Sequence, residues 1–425
     1  MSTEWKPLLQ GELAEQARQT VQEIAAALQS GVAAGEAQSS SLAGGLTGKA
    51  LFYTYFALHT GDETAAEQAA QLVEQAAETL AVQPLPPNLY TGFAGVAWAM
   101  EHLRGRLFEE DGDEDDPVQE IDEALSVPLQ RSPWLGDYDL ITGLVGLAVY
   151  ALERLPRPAA LSLLGSIVDR LSERADISEE GAAWFTPPEE MPEWQREFHP
   201  KGSYNLGVAH GLPAVVAVLA GAVAAGVEKA RPLLHDSTRF LLARRQDPLS
   251  SVGSCFSTSY APWEAPTGSR LAWCYGDPGV AAALLAAARA AGEPEWERAA
   301  VEVAHSAAER PEPSSGIRDA GLCHGSAGLG HLFNRMYHTT GEERFAGAAR
   351  NWFERTLAFR QPGQGIGGFR TWGTVGEQPN ELGWRDEAGF LEGTAGVGLA
   401  LLGALSDVEP AWDRVLAISV RTVDR

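Results

Sequence analysis

Seven times along the chain, Gly-x-x-Gly or a near variant opens an apolar run of about ten residues. The copies begin at Gly45 (GLTGKALFYTYFAL), Gly92 (GFAGVAWAM), Gly143 (GLVGLAVYAL), Gly211 (GLPAVVAVLA), Gly276 (GDPGVAAALL), Gly325 (GSAGLGHLF) and Gly393 (GTAGVGLALL). First glycines are spaced 47, 51, 68, 65, 49 and 68 residues apart. A unit of about 50 residues accommodates two helices and their turns. The runs after the glycines are apolar on nearly every face, which predicts buried inner helices. Between them, stretches such as ELAEQARQTVQEIAAAL (12–28), TAAEQAAQLVEQAAETL (64–80) and WERAAVEVAHSAAER (296–310) carry apolar residues at helical spacing on an otherwise polar background. These predict half-exposed outer helices.

Seven outer–inner pairs imply an all-α protein, an α/α-toroid of seven inner and seven outer helices. Closure is preferred over an open solenoid because both terminal repeats keep the apolar inner helix and lack a polar cap. The longer repeats carry insertions at about 177–205, 247–270 and 360–388, rich in Pro, Gly and aromatic residues and without helical periodicity. They predict a small β-containing or irregular element on a single domain spanning 1–425. The fourth repeat reads HGLPA, with Pro213 and Ala214 displacing the second glycine, which predicts an altered helix start there.

Composition narrows the class. The chain is 45% hydrophobic and 21% charged, a globular balance. Lys and Arg number 32 against 57 Asp and Glu, a net charge of −25, which argues against a nucleic-acid partner. The acidic run EEDGDEDD (109–116) reads as a solvated loop. MSTEWKPLLQ has no signal-peptide character. Residues 206–227 are long enough to span a bilayer, but they are mostly Ala, Gly and Val, carry His210 and break at Gly211 and Pro213, so a buried helix is expected. A cytoplasmic location is expected. Three cysteines cannot build a disulfide framework and point to thiols or metal ligands.

Candidate chemistry appears when the repeats are aligned. The residue before each first glycine is Gly44, Thr91, Thr142, His210, Tyr275, His324 or Glu392, and the one before that is Ala43, Tyr90, Ile141, Ala209, Cys274, Cys323 or Leu391. If all seven turns lie at one end, these positions converge. Two of the three cysteines then occupy equivalent places in neighbouring repeats, with two histidines in the adjoining register. Two thiolates and an imidazole make a zinc site with a fourth position open to water or substrate. Such a zinc ion is a modest Lewis acid and suits a further sulfur, which on binding becomes a thiolate at neutral pH. The favoured chemistry is sulfur attack on carbon. Cys255 lies outside this register and is a bystander. His331 and His338 fall on helix faces and read as structural.

DYDLITG (137–143), GVAHG (207–211), RLAWCYGDPG (270–279), GLCHGSAG (321–328) and FLEGTAG (390–396) together resemble the lanthipeptide (lantibiotic) cyclases, the LanC family, over essentially the whole chain. The resemblance implies an α/α-toroid and a stand-alone cyclase. Such an enzyme adds a peptide cysteine to dehydroalanine or dehydrobutyrine, closing lanthionine or methyllanthionine rings. It implies Cys274, Cys323 and His324 as Zn2+ ligands. His210 would be the proton donor or base, Arg270 the stabiliser of enolate charge, Asp139 the residue orienting His210 or Arg270, and Tyr275 a substrate contact. Asp139 could equally cap its turn, and Glu392 has no assigned role. The implied partners are a dehydrated precursor peptide, a separate dehydratase and a peptide exporter. A non-catalytic LanC-like zinc protein that binds thiols or peptides is the alternative. A prenyltransferase would need a basic diphosphate pocket, which the motifs lack. A carbohydrate-active α/α-barrel leaves the Cys–Cys–His register unexplained.

Overall fold

The computed structural model describes residues 4–33, 39–107, 116–250, 252–376 and 381–419. Residues 109–115 of the acidic run lie outside the described residues. Outer and inner helices alternate as the pattern predicts. They are α1 (Gly11–Ala33), α2 (Leu46–Thr60), α3 (Glu63–Val82), α4 (Phe93–Leu103), α5 (Gln119–Leu129), α6 (Leu144–Glu153) and α7 (Pro158–Arg174). The series continues, after the six-residue insertion helix α8 (Glu193–Phe198) that stands outside the alternation, with α9 (Leu212–Ala224), α10 (Ala230–Leu242), α11 (Asp277–Ala291) and α12 (Pro294–Glu309). It closes with α13 (Ser326–Thr340), α14 (Glu343–Phe359) and α15 (Thr394–Leu405).

The inner helices are α2, α4, α6, α9, α11, α13 and α15, and the first glycine of a motif is the N-cap of each. Side chains from Leu46 to Ala57, from Leu212 to Val223 and from Thr394 to Leu405 are buried without interruption. Outer helices bury one stripe: Ala65, Ala69, Leu72, Val73 and Ala76 on α3, and Ala300, Val303, Ala304 and Ala307 on α12. Pro213 does not alter the start of α9. It stands in the first turn, where a missing N–H has no intrahelical acceptor to disappoint, and the helix still begins one residue after its glycine. At 13 residues α9 is a buried core helix, and among the described residues no helix is long and apolar enough to cross a membrane.

The glycines are fixed by close backbone approach rather than by unusual dihedral angles. A Cβ on Gly45 would stand 1.9 Å from the Ser39 carbonyl oxygen, and one on Gly92 would stand 1.9 Å from that of Pro86. In each case the chain six residues upstream folds back against the glycine. The next residue's N–H then closes the loop, Leu46 donating to Ser39 O at 2.8 Å and Phe93 to Pro86 O at 3.0 Å.

The chain forms two compact units. In the first, residues 1–116 and 317–412, the inner helices pack in the order α13, α15, α2, α4. The last repeat therefore lies against the first, as a closed arrangement requires. In the second, residues 117–316 and 413–425, the order is α6, α9, α11. The insertions at 177–205 and 247–270 also belong to this unit. They contribute a hairpin of β1 (Asp176–Ser178) and β2 (Gly181–Ala183) and an antiparallel three-stranded sheet of β3 (Phe185–Thr186), β4 (Ser203–Asn205) and β5 (Ser259–Tyr260). The Arg244 guanidinium, 4.0 Å from the Phe240 ring centre and 4.1 Å from that of Tyr260, ties this sheet to α10. In the first unit, insertion 360–388 forms the hairpin β6 (Thr371–Thr374) and β7 (Leu382–Arg385).

Candidate metal centre and cavity

The register read from the sequence has a physical form. In the first unit, Ala43 N–H donates to Tyr90 O at 3.0 Å, Leu391 N–H to Ala43 O at 3.0 Å, and Cys323 N–H to Leu391 O at 2.8 Å. In the second unit, Ala209 N–H donates to Cys274 O at 3.3 Å. Residues two before the first glycine of neighbouring repeats are thus hydrogen-bonded to one another, and the ladder fixes where their side chains begin.

One ligand atom each from Cys274, Cys323 and His324 lies within 4.8 Å of the other two. Both cysteines are buried and neither is in a disulfide. Tetrahedral zinc with Zn–S of about 2.3 Å sets its ligand atoms about 3.8 Å apart, so the trio is of the size and chemistry that a soft divalent metal takes. Arg270 extends Nη2 to within 3.4 Å of the Cys274 sulfur, a charge-assisted contact suited to a thiolate. Burial pushes the Tyr90 phenol well above its ordinary pKa, and the charge of Cys323 adds to the effect.

The second unit holds a cavity of about 1130 Å³, whose wall includes Asp139, His210, Arg270 and Tyr275 from the turns and Met191, Phe198 and Glu264 from the insertions. Asp139 serves two partners. Its Oδ1 accepts from Thr142 N at 2.8 Å and Thr142 Oγ1 at 2.9 Å, while its Oδ2 accepts a short hydrogen bond from His210 Nδ1. In the second repeat, Asn88 caps Thr91 with the same two bonds, each 2.9 Å. Capping therefore asks only for an amide oxygen, and it is the second carboxylate oxygen that His210 uses. Burial raises the Asp139 pKa, but the hydrogen bond and charge of His210, with the Thr142 bonds, outweigh it and hold the carboxyl below its ordinary value. With Nδ1 so engaged, Nε2 is the His210 nitrogen available to a molecule in the cavity. The imidazole is 42% exposed, enough to be reached.

Tyr275 stacks beside His210, with ring centres 6.4 Å apart. Its phenol oxygen accepts from Asn205 Nδ2 at 2.9 Å, and Asn205 Oδ1 accepts from Gly207 N at 2.9 Å. Asn205 belongs to none of the repeated motifs, although it stands six residues before Gly211, at the closing position of the turn. Glu392 pairs with Arg385 of β7 at 2.5 Å, and Arg385 also holds Glu387 at 2.6 Å. Its place in the register is thus taken by an ion pair. Cys255 is buried, His331 stacks on Trp412 at 4.5 Å, and His338 stacks on Trp5 at 3.7 Å.

The family model for lanthionine synthetase C-like proteins matches residues 36–417. Nisin biosynthesis protein NisC of Lactococcus lactis subsp. lactis is 25% identical over 281 residues. That match covers 60% of this chain and 64% of NisC, a little under two thirds of the relative's length. The solved structure of nisin cyclase superposes with a TM-score of 0.74 at 20% identity, covering 94% of this chain and 97% of that one. The likeness shows the fold, an α/α-toroid.

Proposed function

The chain belongs to the lanthionine synthetase C-like family, and from that premise we propose that it is a zinc-dependent cyclase joining cysteine thiols to dehydroamino acids in a dehydrated precursor peptide. The product is a lanthionine or methyllanthionine thioether ring. The observation that carries the reading is the set of donor atoms on Cys274, Cys323 and His324, within 4.8 Å of one another. Two thiolates and an imidazole fit zinc and leave one position for a peptide sulfur. A bound zinc ion would supply the Lewis acidity that keeps that sulfur as a thiolate at neutral pH.

The residues of the second unit handle the proton and the charge. His210, oriented by Asp139, takes the thiol proton through Nε2. Sulfur adds to the β-carbon, the carbon–carbon double bond opens, and negative charge moves to the neighbouring carbonyl oxygen. Arg270 and the Tyr275 hydroxyl, both on the cavity wall, stabilise that oxygen. His210 then returns its proton to the α-carbon, so no atom is gained or lost overall. A cavity of about 1130 Å³ accommodates several residues of a peptide. Met191 and Phe198 on its wall hold the segment around the ring. A dehydratase that supplies the electrophile and an exporter that removes the product are the partners this chemistry calls for.

The test has two parts. Elemental mass spectrometry of the purified protein should find one zinc per chain, lost in Cys274→Ala and Cys323→Ala variants that keep their helical circular dichroism. A dehydrated peptide incubated with the protein should lose thiols reactive towards an alkylating reagent, with no change in mass. Zinc-free folded protein, or thiols that stay reactive, would sink the reading.

A further inference from the structure

The wall of the large cavity carries a second His–carboxylate pair that the cyclisation does not use. His199, at the end of α8, donates from Nδ1 to Glu264 Oε2 at 2.9 Å. Its Nε2 accepts from the Ser259 hydroxyl of β5 at 3.3 Å. The three residues come from both insertions of the second unit, which the sheet pairing of Ser259 with Asn205 joins. Two other buried charge clusters of this unit are closed ion pairs. Arg154 grips Asp122 at 2.5 Å while Tyr150 donates to the same carboxylate at 2.6 Å, and Arg310 holds Asp277 at 2.5 Å. The serine array is different: His199 is 23% and Glu264 28% exposed, so a substrate can reach it.

We propose that Ser259, His199 and Glu264 form a nucleophile–base–orienter array that hydrolyses a small acyl ester at the cavity wall. Three observations support it. The order of contacts is hydroxyl to one ring nitrogen and carboxylate to the other, which leaves Nε2 as the lone-pair nitrogen facing the serine. All three residues line both the 1130 Å³ cavity and a neighbouring pocket of about 260 Å³. The smaller pocket sets Leu206, Ala243, Ala261 and Pro266 beside polar residues such as Arg245 and Gln246, and its volume suits a short acyl group. The larger cavity takes the remainder of the ester.

In the reaction, Ser259 Oγ bonds to the acyl carbon and passes its proton to His199 Nε2. The carbon–oxygen bond to the alcohol breaks as His199 hands that proton to the leaving oxygen. A water deprotonated by His199 then attacks the acyl-serine, releasing the carboxylic acid and restoring Ser259. Ester and water become acid and alcohol, with no redox change. Glu264 holds the ring in the tautomer that accepts from serine.

A fluorophosphonate probe reads this directly on the full-length wild-type protein. The expected result is a phosphonyl adduct on Ser259, located by peptide mass spectrometry. It should form about 10²-fold more slowly or worse in His199→Ala, with Glu264→Gln between the two. p-Nitrophenyl butyrate should turn over faster with wild type than with Ser259→Ala. An unmodified Ser259 in folded wild-type protein overturns the proposal, as does equal labelling in a His199→Ala variant whose circular dichroism is unchanged. The readout involves neither metal nor a dehydrated peptide, so its failure and that of the cyclase reading are independent.

Discussion

Asp139 holds His210 with one carboxylate oxygen while its other oxygen caps Thr142. The two roles can be separated by Asp139→Asn. An asparagine keeps the cap, as Asn88 does for Thr91 in the second repeat. It would present an N–H₂ to Nδ1, however, and so reverse the imidazole tautomer and remove the lone pair from Nε2. Thioether formation should fall about 10²-fold or more, while zinc content and melting temperature stay near wild type. Asp139→Ala should show the same loss of activity plus about 1 kcal/mol of instability from the lost cap. An Asp139→Asn enzyme of wild-type rate would remove His210 from the proton path.

Acid should weaken the fold through His338. Burial is the main cause of its lowered pKa, and the charges of Arg335 and His331 add to it against two backbone hydrogen bonds. The ring sits against Trp5, with Nδ1 3.0 Å from Asn334 O and Nε2 3.0 Å from Lys6 O and 3.1 Å from Lys6 N. Because the folded pKa lies below the unfolded one, the unfolded chain binds the proton first. The His338 contribution is complete above about pH 6.5 and shrinks as pH falls from there towards the folded value. Urea denaturation across pH 5–7.5 should show stability rising with pH, with a smaller slope in His338→Gln. An unchanged slope would assign the acid sensitivity elsewhere.

What the sequence made legible, and what it did not, follows from range. The seven inner helices could be read because their glycines and apolar runs are local and repeat. Cys274 and Cys323 could be paired because repetition converts a separation of 49 residues into one register position. Asn205 could not be found that way, since its worth lies in bonds to Tyr275 and Gly207 that no spacing encodes. Nor could the joining of insertions 177–205 and 247–270 into one sheet, which is set by pairs such as Tyr204 with Tyr260. Glu392 occupies a register position identical in spacing to His324. Only the structure shows that Arg385, from a hairpin with no repeat partner, claims its charge.

Two glycine substitutions should act in opposite directions. A Cβ on Gly92 would meet the Pro86 carbonyl oxygen at 1.9 Å, and the backbone on both sides is hydrogen-bonded, so something must shift. Gly92→Ala should cost about 2 kcal/mol or more. Gly347 lies within the outer helix α14, and a Cβ there meets nothing within 4 Å. Gly347→Ala should stabilise by about 0.5–1 kcal/mol, because alanine restricts the unfolded chain and favours helix. Denaturant unfolding of both variants checks the contrast. A tolerated Gly92→Ala would mean that the motif glycines are not held by close approach.

The three cysteines should separate chemically. Burial raises the Cys255 thiol pKa, and the nearby charge of Asp277 raises it further, so little nucleophilic thiolate forms there. Cys255→Ala should therefore keep the full zinc content and full cyclisation activity. In the native wild-type protein, iodoacetamide at pH 8 should leave Cys255 unmodified, and with zinc bound it should also spare Cys274 and Cys323. Removing the metal with a chelator should expose the last two alone, since Arg270 beside the Cys274 sulfur favours its thiolate once the metal has gone. Peptide mapping of the alkylated protein before and after chelation gives the order. If Cys255 reacts first, or if chelation changes nothing at Cys274 and Cys323, then the pair is not a metal-holding pair. The register that joins the two would then be a matter of packing alone.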